Sequence, residues 1–227
     1  MAKMVTEQQN CVLEVIMSDG VILAHLIPAD LWMGMNGRMR MIETIISNNC
    51  TGGAVMHELG MEFKTPTINL QILPEEFREF CGNLNYYMNA RLMNYVPAYM
   101  SDRHKDMLKK MFGGIPDMPY GIINDILVCF QHYNTFEEAR NKWEERKSRI
   151  DWDHIGYIFH VRGPEYGKEA EMFIREGIPN SLVITEGFEL NDSIALYPKE
   201  GDNAFSAVNG KLLITQAADY KSWREMG

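Results

Sequence analysis

Short runs of apolar, β-branched residues alternate along this chain with segments whose apolar positions recur at helical spacing. The runs predict strands at residues 43–47, 65–70, 126–130, 155–161 and 181–185. Helices are predicted to open at Pro74 and at the capping box that starts with Thr135, and a further helix is predicted over about 166–176. Because strands and helices alternate, the pattern predicts a three-layer α/β fold with a largely parallel sheet and helices on both faces.

The first forty residues have a different pattern. Two apolar runs within 11–27 flank Ser18-Asp19-Gly20, which predicts a β-hairpin, and the Met/Gly/Arg-rich stretch at 34–40 is typical of a linker. The chain is therefore divided into a small β-containing N-terminal segment at 1–40 and an α/β domain at 41–227.

Charge and cysteine usage narrow the class of protein. Lysine and arginine number 22 against 31 aspartates and glutamates, a net charge of −9, which argues against a nucleic-acid partner. No apolar run reaches the roughly 18 residues of a membrane helix, although peripheral membrane association stays open. The four cysteines are far apart and show no zinc spacing, which favours free thiols in a cytoplasmic protein. These features indicate no particular oligomeric state.

The segment Ser47–Gly53, which reads Ser-Asn-Asn-Cys-Thr-Gly-Gly, carries the strongest candidate chemistry. It lies between a buried strand and a helix, where ligands bind in open α/β sheets. Cys50 falls in the first helical turn, whose backbone N–H groups and dipole lower a thiol pKa and bind an oxyanion. The alternative interpretation makes Asn49 a helix N-cap, Cys50 a buried filler and the two glycines packing residues.

His132 and Asn69 are the expected neighbours of Cys50. Each ends or follows a predicted strand, so if those strands are parallel neighbours of 45–47, all three residues meet at one edge of the sheet. His132 is then the candidate general base, with a loop or capping role as the alternative.

Two further groups are candidates for phosphate or metal contacts. Arg146 and Arg149, late in a helix, could meet a phosphate, although solvated partners of the helix dipole are commoner. Asp151-Trp152-Asp153 is similar to the Asp-x-Asp metal motif of glycosyltransferases but precedes its strand. No metal site is predicted.

Three segments resemble a known family. The first has Ile-Ile-Ser-Asn-Asn-Cys-Thr-Gly-Gly at 45–53 and Pro-Thr-Ile-Asn-Leu at 66–70. The second has Phe-Gln-His-Tyr at 130–133 and Phe-Glu-Glu-Ala at 136–139. The third has Lys-Trp-Glu-Glu-Arg at 142–146 and Arg-Ile-Asp-Trp-Asp at 149–153. Together they resemble a bacterial family of unassigned mechanism, usually labelled exopolysaccharide biosynthesis protein. The chain departs from that pattern at 160–163, where it has His-Val-Arg-Gly instead of a Thr-Asp-Arg-Asp-like word.

The resemblance implies a role in surface-polysaccharide assembly, with a small or lipid-linked saccharide as substrate. The Asn-Cys turn is also similar in layout to SGNH-type esterases and to capsule acyltransferases. The expected activity is acyl transfer to a sugar hydroxyl, in which Cys50 is the nucleophile and His132 the base. An activated acyl donor such as acyl-CoA is the expected co-substrate, and no bound cofactor is expected. The alternatives are a metal-independent glycosyltransferase and a non-catalytic carbohydrate-binding or assembly protein. Substrate contacts are expected from Ser47, Asn48, Asn49, Gly52, Gly53, Asn69, Arg146 and Arg149.

Overall fold

The computed structural model describes residues 4–6, 11–18, 21–28, 41–199, 202, 204–205, 207–208 and 211–226. In chain order the strands are β1 (Met4–Thr6), β2 (Cys11–Ser18), β3 (Val21–Pro28), β4 (Thr44–Ser47), β5 (Gln71–Ile72), β6 (Leu92–Asn94), β7 (Tyr120–Ile123), β8 (Ile126–Cys129), β9 (Ile155–Arg162), β10 (Ser181–Glu186), β11 (Ile194–Leu196), β12 (Ala207–Val208) and β13 (Lys211–Leu212). The helices are α1 (Thr51–Glu58), α2 (Pro74–Gly82), α3 (Leu84–Asn89), α4 (Asp102–Phe112), α5 (Phe136–Lys147), α6 (Gly167–Glu176), α7 (Leu213–Gln216) and α8 (Tyr220–Met226).

A parallel four-stranded sheet, with strand order β11-β10-β9-β4, confirms the α/β class. Helix α1 follows β4, and α6 connects β9 to β10 as expected for parallel crossovers. Successive residues of β4 point to opposite faces, so that Ile45 joins a cluster with Met56 and Trp223, whereas Ile46 joins a cluster with Phe77. The three-layer arrangement stays a prediction.

A second, antiparallel four-stranded sheet has the order β5-β8-β7-β6. It corrects the expectation that 65–70 and 126–130 are parallel neighbours of 45–47. Residues 65–70 are irregular, with bends at Pro66 and at Ile68-Asn69, and Asn69 lies in the left-handed region at φ 61°. Strand β8 runs antiparallel to both β5 and β7. The cause is local, because a two-residue link with Asn124 at φ 55° joins β7 to β8 as a hairpin.

Capping residues set several helix ends as the sequence predicts. Pro74 occupies the first turn of α2, and the Thr135 hydroxyl accepts a hydrogen bond from the Glu138 N–H at 3.1 Å to begin α5. Gly113 ends α4 in the left-handed conformation, at φ 74°. In the C-terminal segment, the apolar residues at 212–215 predict a short strand, but residues 213–216 form the helix α7.

At the N-terminus, β2 and β3 pair antiparallel from Cys11↔Pro28 to Ser18↔Val21, as the hairpin prediction requires. The strand β1 adds to the outer edge of β2. The predicted linker at 34–40 lies outside the described residues, and the division of the chain at residue 40 stays a prediction.

Candidate functional site

A cleft of about 270 Å³ lies where β4 and β9 end and α1 begins. This is the carboxyl edge of the parallel sheet, the position at which open α/β sheets bind ligands. The cleft combines aromatic rings with amide, imidazole, guanidinium and carboxylate groups. Among its lining residues are Asn49, Cys50, Gln71, Phe112, Gln131, His160, Arg162, Glu165, Tyr166 and Phe205.

Asn48 extends the parallel sheet with its side chain. Its Oδ1 accepts a hydrogen bond from the His160 N–H at 2.8 Å, and its Nδ2 donates to the His160 carbonyl at 2.9 Å. The amide therefore takes the place of the next backbone pair after β4, and Asn48 is completely buried. The structure uses this side chain to join β4 to β9, whereas the sequence predicted a substrate contact.

Asn49 and Thr51 fix the protonation pattern of His160. The Asn49 Oδ1 accepts from the Thr51 N–H at 3.0 Å. The Asn49 Nδ2, a pure donor with two N–H groups, lies 3.2 Å from the His160 carbonyl and 3.3 Å from His160 Nδ1. The Thr51 hydroxyl lies 2.9 Å from the same nitrogen. Nδ1 therefore acts as the acceptor, and in the neutral imidazole the proton resides on Nε2.

His160 Nε2 faces a carboxylate at the end of β10. It lies 3.4 Å from Glu186 Oε2, and the Nε of Arg162 lies 3.2 Å from the same oxygen. Burial lowers the pKa of His160, and Arg162 adds to this effect while Glu186 opposes it. For Glu186, burial acts to raise the pKa, but His160 and Arg162 together hold it below its ordinary value. The pair is thus a neutral imidazole beside an ionised carboxylate.

Cys50 lies at the N-cap of α1, half-buried in the wall of the cleft. Burial raises the pKa of its thiol, and the nearby positive charge of Arg162 and a backbone hydrogen bond lower it only in part. At this position burial outweighs the two effects that favour the thiolate, whereas the sequence predicts a lowered thiol pKa.

We expect alkylation of Cys50 by iodoacetamide to follow a titration midpoint above about 8.5, the ordinary value for a thiol. Removing the cation in Arg162→Gln should move that midpoint further upward, because the thiolate loses its positive neighbour. Peptide-resolved mass spectrometry of reaction rate against pH measures both values. Cys81 is an internal reference, because burial raises the pKa of its fully enclosed thiol even more. A Cys50 midpoint below 7 would contradict the assignment.

His132 is placed differently from the sequence expectation. It lies in the turn after β8, exposed to solvent, and the residue of that turn that lines the cleft is its neighbour Gln131. Asn69 is also exposed, in its left-handed turn. The argument that brought both residues to Cys50 required parallel strands, and that topology is wrong.

Of the two arginines predicted to bind phosphate, Arg146 lies in the last turn of α5 and Arg149 in the turn that follows the helix. Arg146 donates to the Tyr133 hydroxyl at 2.8 Å, and Arg149 pairs with Glu145 one turn earlier. Neither lines the cleft. Asp151 precedes β9, where its carboxylate accepts from the Asp153 N–H at 3.3 Å. In the described ranges, no three side chains of His, Cys, Asp or Glu type are grouped as metal ligands.

The small residues of the turn pack α1 against β4. Ser47 is buried, and its N–H donates to the Thr67 hydroxyl at 3.1 Å. A Cβ on Gly52 would lie 2.6 Å from the Ser47 Cβ, whereas one on Gly53 would make an ordinary contact with Ile68 at 3.4 Å. Gly52 is therefore required by helix–strand packing.

Sequence reasoning missed His160 and Arg162, which line the cleft, and Glu186, whose carboxylate contacts both of them. The one available signal was the word His160-Val-Arg-Gly, which stood out only as a departure from the family pattern. Because the register places His160 opposite Ile184 and Arg162 opposite Glu186, these side chains share the α1 face of the sheet.

Fold and site together define an α/β protein with a small-molecule-sized cleft at the carboxyl edge of its parallel sheet. The chain belongs to the family described as Domain of unknown function (DUF1919), whose model matches residues 35–191. It is also similar to an uncharacterized protein of Haemophilus influenzae (strain ATCC 51907 / DSM 11121 / KW20 / Rd), with 27% identity over 194 residues, which covers 79% of this chain and 82% of that protein. Among the helices described, none has the length and apolar character to span a membrane.

Proposed function

We propose that the protein binds the saccharide of a surface-polysaccharide precursor in this cleft. The observation that carries the proposal is the composition of the cleft wall. Gln131, Arg162 and Glu165 offer hydrogen-bonding groups of the kind that sugar hydroxyls require, and the rings of Phe112 and Phe205 offer apolar surface for the sugar face. The polysaccharide context comes from the sequence resemblance, and a cytoplasmic site of action belongs to the same proposal.

Tyr166 adds an aromatic side chain to the wall of the cleft. Its ring lies under the Lys110 ammonium at 4.2 Å. Burial raises the pKa of the phenol, so that it stays neutral. Tyr166 therefore contributes ring surface rather than charge to this wall.

The size of the cleft favours a single sugar unit. Pockets for drug-sized ligands have volumes of about 300–1,000 Å³, and the cleft measures about 270 Å³. A monosaccharide, or the terminal sugar of a longer precursor, matches this volume better than a complete nucleotide sugar.

Acyl transfer is the second candidate because Cys50 lines the same cleft. A saccharide bound there would bring a hydroxyl near the thiol, and an activated acyl donor would supply the group that moves. This candidate requires a base close to Cys50, a role for which the exposed His132 is poorly placed.

Saccharide binding is tested with a panel of glucose, N-acetylglucosamine, galacturonate and glucose 1-phosphate, measured by calorimetry and by thermal shift. We expect at least one member to bind at millimolar concentration or below, and Arg162→Gln to weaken it about tenfold by removing a charged hydrogen-bond donor. Phe205→Ala should weaken it similarly through lost ring contact.

The matched control is Arg175→Gln on α6, whose side chain is 78% exposed and does not line the cleft. It should leave the affinity unchanged. Failure of every saccharide to bind, or an equal loss in Arg175→Gln, would contradict the proposal. Acyl transfer is examined separately, by following acyl-CoA consumption in the wild type and in Cys50→Ala.

A further inference from the structure

A second concave surface lies away from the cleft, between strand β6 and the first turns of helix α5. This groove measures about 400 Å³. One wall is formed by residues 91–94, and the other by Phe136, Glu137 and Arg140. Among the residues that the structure describes, β6 is the last strand of the antiparallel sheet, so the groove runs along a sheet edge that no described strand covers.

The hydrogen-bond register shows which backbone groups of β6 face this groove. Tyr95 donates its N–H to the Tyr120 carbonyl at 3.0 Å, and hydrogen-bonded pairs alternate along an antiparallel ladder. Met93 is therefore the next residue bonded to β7, whereas the N–H and C=O groups of Leu92 and Asn94 point away from it. Two backbone N–H donors and two backbone C=O acceptors therefore face the groove, at the spacing that an extended chain needs.

The charges that flank the edge are positive and weakly compensated. Arg91 is exposed and has no ion pair or hydrogen bond to any described residue, and Arg140 has only the exposed Glu137 at 3.8 Å. Exposed ion pairs at this distance contribute little, so both guanidinium groups are available. The side chain of Met93 adds apolar surface, because the residue is 55% exposed.

We propose that β6 is the docking site of a protein partner, which adds an acidic, extended segment as a fifth strand. Backbone groups of Leu92 and Asn94 would pair with the segment, and carboxylates on it would meet Arg91 and Arg140. Strand addition to an open edge gives affinity through main-chain hydrogen bonds, while flanking charges select the sequence. This proposal is independent of the ligand in the cleft.

The probe is an acetylated, fluorescently labelled peptide of alternating glutamate and valine, with a lysine-valine peptide as its charge-reversed partner. Binding is followed by fluorescence anisotropy at low and at physiological salt. We expect the acidic peptide to bind at least tenfold more tightly than the basic one, and salt to weaken it. The double variant Arg91→Gln/Arg140→Gln should reduce affinity tenfold or more, whereas Arg175→Gln should not.

Asn94→Pro separates strand addition from simple attraction of an anion. Proline removes an N–H that points to the groove and leaves the Met93 pairing with β7 in place, which edge strands tolerate. We expect the variant to keep its melting temperature and to lose peptide binding tenfold or more. In the wild type, the peptide should slow hydrogen exchange at the Leu92 and Asn94 amides, a readout that does not depend on any substitution.

Three outcomes would overturn the proposal: equal binding of the two peptides, no binding of the acidic peptide at millimolar concentration, or unchanged exchange at Leu92 and Asn94. Oligogalacturonate that binds in an arginine-dependent manner, while Asn94→Pro leaves it unaffected and the peptide does not bind, would assign the groove to an acidic saccharide instead.

Discussion

Replacing Asn48 by alanine is expected to lower the free energy of unfolding by about 1–3 kcal/mol, because the buried His160 N–H loses its partner, whereas the His160 carbonyl keeps the Asn49 Nδ2 donor at 3.2 Å. The same change should loosen the carboxyl edge of the sheet, because beyond Ser47 the Asn48 amide makes two bonds to β9, and the Asn48 N–H bond to the Ile158 carbonyl is longer, at 3.4 Å. Urea denaturation of wild type and variant measures the loss.

Two companion variants identify the cause. Asn48→Asp keeps the acceptor for the His160 N–H but places a carboxylate oxygen against the His160 carbonyl, so it should be at least as damaging as alanine. Asn141→Ala, at an exposed position of α5, should stay within about 0.5 kcal/mol of wild type. If Asn48→Ala has wild-type stability but no longer binds saccharide, Asn48 is a substrate contact and not a structural residue.

The sequence predicted the elements that depend on local chemistry. Proline and acidic residues at 74–76 and the Thr135 capping box predicted α2 and α5, and alternating strand and helix predicted the parallel pairing of β9 with β10. These features are readable because they involve residues within a few positions of one another, or a crossover whose geometry is restricted.

The second sheet could not be predicted in the same way. The buried run that forms β8 has the same apolar character in a parallel and in an antiparallel sheet, so its direction depends on the connection before it. The cue was the link Asn124-Asp125 between two apolar runs, but the first of those runs lay at the end of a Met/Pro/Gly-rich stretch without clear periodicity. Placing His132 beside Cys50 depended on that direction.

The candidate site shows the same limit. The turn at 47–53 was located correctly at the end of β4, because strand and helix were both recognisable. The residues that contact this turn were not predicted, since His160 and its partner Glu186 lie in strands more than a hundred residues after it in the sequence. Their contact depends on sheet order and register, which one sequence does not determine. The pKa of Cys50 depends in turn on that surrounding structure.

Gly52 and Gly53 are adjacent in sequence, were predicted to serve the same function, and are expected to respond oppositely to alanine. In Gly52→Ala the new Cβ would lie 2.6 Å from the Ser47 Cβ, so α1 must move away from β4. Overpacking of this kind costs about 1–3 kcal/mol. In Gly53→Ala the Cβ meets Ile68 at ordinary contact distance, and the helix gains about 0.5–1 kcal/mol from reduced backbone freedom. Urea denaturation of the two variants measures both changes.

Saccharide affinity then distinguishes packing from ligand approach at these two positions. If Gly52 acts through packing, Gly52→Ala should bind saccharide more weakly because the N-terminus of α1 is displaced. Adding Ser47→Gly to the same chain should restore part of the affinity, because it removes the Ser47 Cβ that the new methyl group would contact. Gly53→Ala should bind like the wild type. Unchanged stability of Gly52→Ala, together with lost binding and no rescue by Ser47→Gly, would mean that a ligand rather than β4 occupies the space beside Gly52.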